Sequence, residues 1–72
     1  MKGEYTIVTE YFDGGSIIIN RLYLGRKIDE KNEIEIISRK TLDKQITDLM
    51  DNQTKRLSKN PRLNSIKETI KL

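Results

Sequence analysis

Polar and apolar positions alternate over the first third of the chain and then recur at helical spacing, and this change of period is the main structural signal. From Glu4 to Phe12 the sequence reads EYTIVTEYF, and from Ser16 to Leu24 it reads SIIINRLYL, both rich in β-branched and aromatic residues. Between them lies Asp13-Gly14-Gly15, where Asp suits the start of a turn and glycine takes positive φ without a Cβ penalty. The pattern predicts a β-hairpin. An even-length loop puts Tyr5, Ile7, Thr9 and Tyr11 on one face with Ile18, Asn20, Leu22 and Leu24. Because a one-residue slip would reverse every side chain, this face is expected to carry the core. The opposite face holds Thr6, Val8, Glu10 and Phe12 with Ile17, Ile19, Arg21 and Tyr23. That surface is too apolar to be left in water on a small protein, so either the C-terminal segment or a second subunit is expected to cover it.

The second strand is taken as far as residue 28, before the polar turn Asp29-Glu30-Lys31-Asn32. The alternation E-I-E-I-I over 33–37 predicts a third strand, with Ile34 and Ile36 pointing inward. From Arg39 onward, Leu42, Ile46, Leu49, Met50 and Leu57 fall at helical spacing, which predicts an amphipathic helix over 39–57 with Ser38 or Thr41 as its N-cap. The weak helix formers Asp51-Asn52-Gln53-Thr54 favour an end or a bend there. Asn60-Pro61 predicts a second helix over 61–71, since Pro suits a first helical turn, with Leu63, Ile66 and Ile70 as its apolar stripe. The expected fold is a single α+β domain: a three-stranded antiparallel meander packed by the amphipathic helix, followed by the short C-terminal helix.

Composition adds constraints. With 72 residues, 35% of them hydrophobic and 35% charged, the chain is expected to bury only about 60% of the surface its unfolded form exposes. Homodimerisation is therefore expected, as the way to complete so thin a core. Cys is absent, which removes the disulfide framework of small secreted domains, and no long apolar run suggests a signal peptide or a membrane span. These features together point to the cytoplasm. His, Trp and Ala are also absent while Ile, Lys and Asn are plentiful, a usage that fits AT-rich coding, as in a low-GC bacterium or a mobile element.

Candidate chemistry is sparse. Without His or Cys there is no His-based triad and no activated thiol, and the usual transition-metal ligands are missing. Asp43, Asp48 and Asp51 lie along the predicted helix but do not form a calcium loop, and Asp13-Gly14-Gly15-Ser16 joins two strands where a phosphate-binding loop would lead into a helix. No catalytic residue, metal or cofactor is therefore assigned, and the chain is expected not to be an enzyme. Charge is more informative. Residues 1–36 hold five Lys/Arg against seven Asp/Glu, and residues 37–72 hold nine against four. The run containing Lys55, Arg56, Lys59, Arg62 and Lys67 has no acidic member. It is the candidate nucleic-acid contact, with the expected second helix presenting its N-terminus to phosphate. The rival is a protein-binding adaptor or inhibitor working through the sheet face or edge, with Val8, Phe12, Ile17, Ile19 and Tyr23 as the candidate interface.

Overall fold

The computed structural model describes residues 2–12 and 16–72. Strands β1 (Glu4–Phe12) and β2 (Ile17–Leu24) form the hairpin, and a short β3 (Glu33–Ile34) follows a 3-10 turn at Glu30–Asn32. A second 3-10 turn (Arg39–Thr41) leads to helix α1 (Lys44–Lys59), and a third (Pro61–Leu63) leads to β4 (Ser65–Lys71). The fold is α+β, with one helix on an antiparallel sheet of order β3-β2-β1-β4.

The hairpin register matches the expected even-length loop: Tyr5 opposes Leu24, Ile7 opposes Leu22, Thr9 opposes Asn20 and Tyr11 opposes Ile18. The Asp13-Gly14-Gly15 turn itself lies outside the described residues. β2 ends earlier than residue 28, because Gly25 adopts φ 75° and turns the chain away; its N–H donates to the Glu4 carbonyl at 2.7 Å. The Gly25 carbonyl then accepts from the Thr6 hydroxyl, also at 2.7 Å.

The predicted helix over 61–71 is instead a 3-10 turn and a strand. Asn64 sits at φ 64°, a positive-φ conformation that ends the turn, and the sequence SIKETIK then alternates. Ile66, Glu68 and Ile70 pair with Thr9, Ile7 and Tyr5 on the helix side, while Lys67 and Thr69 fall opposite Val8 and Thr6 on the other side. The physical reason lies in β1, whose residues Tyr5–Thr9 are buried. A strand so enclosed needs partners for its N–H and C=O groups on both edges, and β2 supplies only one. The C-terminal segment therefore becomes the fourth strand, on β1's second edge, instead of a cover for the outer face.

α1 also departs from expectation at both ends. Asp43 caps it, its side chain accepting from the Gln45 N–H at 2.8 Å, while Ser38 caps the preceding 3-10 turn. The helix passes through Asp51–Thr54 without ending and stops at Asn60, whose N–H reaches the Arg56 and Leu57 carbonyls. β3 covers only two of the five residues expected. Ile34, Ile36 and Leu42 pack against the core built from Tyr5, Ile7, Leu22, Ile46 and Met50. Burying each large aliphatic group contributes about 1.5–3 kcal/mol.

Candidate functional site

The buried stripe of α1 is Ile46, Met50, Gln53 and Leu57, so a glutamine occupies a core position. Its Oε1 accepts from the Thr9 hydroxyl at 2.7 Å, and its Nε2 donates to the Ile7 carbonyl at 3.1 Å and to Glu68 at 3.2 Å. Asn20 donates to Thr9 at 2.6 Å and to Thr54 at 3.3 Å. This network ties the helix to β1, β2 and β4, and among the described residues no buried side-chain polar atom lacks a partner. A satisfied buried network of this kind specifies how the helix sits on the sheet. Its polar groups are consumed by one another, so it is structural.

The basic candidates are divided by the fold. Lys55, Arg56 and Lys59 lie on the last turns of α1, and Arg62 lies on the following 3-10 turn, all exposed. Arg56 pairs with Glu68; that pairing, first of all, holds the Glu68 carboxyl below its ordinary value, and Gln53 adds to it against desolvation. Among the described residues, Lys55, Lys59 and Arg62 enter no ion pair. Lys67 is on the opposite side of the sheet, in register with Val8. The helix N-terminus expected beside this group does not exist. Its place is taken by the C-terminal end of α1, whose dipole attracts cations and opposes phosphate.

The candidate interface residues also divide. Val8 and Tyr23 are 7% and 4% exposed within the chain itself, so they underlie the open face and do not form its surface. Phe12 and Ile17, which oppose each other at the end of the hairpin, are 38% and 47% exposed, and Ile19 is half-buried. Arg21 stands over the Phe12 ring at 5.7 Å from its centroid and lies 3.9 Å from Glu10. A hydrogen bond to Tyr23 raises its guanidinium above the ordinary value, against desolvation.

Beside β2 is an open cleft of about 370 Å³, walled by Ile19, Asn20 and Arg21 on one side and by Glu30 and residues 33–36 on the other. It exists because β3 pairs only with Leu22 and Tyr23, leaving the outer edge of Ile17–Arg21 without a neighbouring strand among the described residues. The sequence did not reveal this cleft, because the E-I-E-I-I alternation predicts a strand long enough to fill it. Among the described residues no cluster of His, Cys, Asp and Glu could hold a metal ion, and no helix is long and apolar enough to cross a membrane. Comparison with protein-family models, with curated proteins and with solved structures finds no match to this chain.

Proposed function

We propose that this chain is a small non-enzymatic protein-binding module that works through its β-sheet. The observation that carries this reading is the hairpin end, where Phe12 and Ile17 oppose each other across the two strands and both stay exposed, whereas the other exposed large apolar side chains, Leu24, Ile28, Ile37 and Leu63, lie outside that pair. Exposed apolar groups gathered at one place mark a contact surface. For a chain this short the first partner to test is a second copy, since a dimer would bury what the monomer leaves open. Sedimentation equilibrium should give a dimer mass for the wild type and a monomer mass for Ile17→Lys. A monomeric wild type at high concentration would remove self-association from the proposal.

A second reading, nucleic-acid binding, is supported by Lys55, Lys59 and Arg62 around the end of α1, which enter no ion pair among the described residues. It is weakened by the pairing of Arg56 with Glu68 and by the placement of Lys67 on the other face. A salt series with duplex and single-stranded DNA separates the two readings, because phosphate contacts make affinity fall steeply with salt. Steep binding abolished by K55E/K59E/R62E would transfer the function to the helix end. Absence of binding at low salt favours the sheet.

A further inference from the structure

The two edges of the sheet are built differently. β4, at one edge, carries Lys67 and Lys71 on one face, four residues apart with Thr69 between them, and lysine on an edge strand is the usual protection against pairing with another chain. The other edge is incomplete. Of the eight residues of β2, only Leu22 and Tyr23 are bridged by β3. Over Ile17–Arg21, alternate residues of an antiparallel strand direct both N–H and C=O away from β1, and Ile19–Arg21 of this stretch line the cleft. Three consecutive isoleucines, Ile17–Ile19, begin this stretch, and no charge appears before Arg21.

The chain's own sequence leaves the slot open. Continuing the register of β3 would set Glu35 opposite Arg21, Ile36 opposite Asn20 and Ile37 opposite Ile19. The backbone instead departs after Ile34, because Ile36 and Leu42 pack against the core and Arg39 bonds to Asp51 of α1 at 2.7 Å. Ile37 is left 86% exposed. The wall opposite β2 carries Glu30, Glu33 and Glu35, and among the described residues none of these carboxylates is in an ion pair. Arg21, the one cation among the described residues lining the cleft, interacts with Glu10 and Phe12 and is also attracted by Glu33, so it offsets only part of the acidic wall.

We propose that the open half-edge of β2 is a binding site for an extended segment of a partner protein, added as a strand beside Ile17–Arg21 and carrying Lys or Arg that face Glu30, Glu33 and Glu35. Backbone hydrogen bonds to β2 give the segment its affinity, and alternate side chains give it specificity. Basic residues contact the acidic wall, and aliphatic residues extend the contact with Ile19. This rests on the protein-binding reading above and names the chemistry of the partner.

The test uses the full chain and two heptapeptides, one alternating valine with lysine and the other alternating valine with glutamate. Titration followed by amide NMR should show the basic peptide shifting Ile17–Arg21 and slowing hydrogen exchange there, while the acidic peptide does not bind. E33K/E35K should weaken the basic peptide by about tenfold or more, as charge reversal at a complementary contact does. The carboxylates are exposed, so the fold should survive, and unchanged spectra elsewhere verify this. Equal binding of both peptides, shifts confined to β4, or protection of Ile17–Arg21 by the chain's own residues 35–37 without peptide would each overturn the site. A wild type that still sediments as a dimer while neither peptide binds would sink this inference and leave the proposed function standing.

Discussion

The two faces of the sheet are made from the same strands, yet one is covered by α1 and the other is buried only in part. On the helix side, Ile7, Leu22, Ile46 and Leu57 are fully buried, and the polar groups among them satisfy one another through Gln53. On the other side, Thr6, Val8 and Tyr23 are buried while Phe12 and Ile17 remain exposed a few residues away. The lesson is that stability and binding are separated in space. The core is concentrated beneath α1, which leaves the side chains of Phe12 and Ile17 at the hairpin end outside it.

This contrast can be broken most directly by paired substitutions. Ile46→Ala should cost about 2–5 kcal/mol, since it removes a buried group and leaves a cavity. Ile17→Lys should stay within about 0.5 kcal/mol, as surface changes usually do. Urea denaturation followed by circular dichroism measures both, and comparable losses would refute the separation of the two faces. The next effect is at the network: Gln53→Ala should cost about 1–3 kcal/mol, because the Thr9 hydroxyl loses its acceptor and the Ile7 carbonyl loses a donor in a buried place. A neutral Gln53→Ala would mean that apolar contacts alone seat the helix.

The smallest effect concerns pH. Arg56 depresses the Glu68 carboxyl below its ordinary 4.5 in the folded state. A depressed carboxyl stabilises the fold above its unfolded value and loses that contribution as pH falls through the folded one. The stability difference between wild type and Glu68→Gln should therefore be constant near neutral pH and shrink below the ordinary value of 4.5. Because both side chains are more than a third exposed, the difference is small and should fade in high salt. A difference that persists in acid would assign the effect to packing of the side chain instead of its charge.

Much of the hairpin was legible in the sequence because period-two alternation, two glycines and a face-by-face count of apolar groups all agree on one register. The core helix was legible for the same kind of reason, with Ile46, Met50 and Leu57 on one stripe. Gln53 was not legible as a core residue because a polar side chain breaks the apolar stripe and its neighbours Asp51, Asn52 and Thr54 are weak helix formers. It lies three residues after Met50 and four before Leu57, which is the signal that places it in the core.

By itself, then, the sequence determined the hairpin, its register and the apolar stripe of α1, since each depends on contacts local to a strand or to one helix. Tertiary structure alone decided that 65–71 is a strand, because that choice depends on β1, more than fifty residues earlier, needing a partner on its second edge. It also decided that β3 stops at Ile34, because Ile36 and Leu42 gain more by packing on a core assembled from distant elements than by continuing a ladder. The candidate site follows from that second decision: the unpaired edge of β2 exists only where local alternation lost to packing.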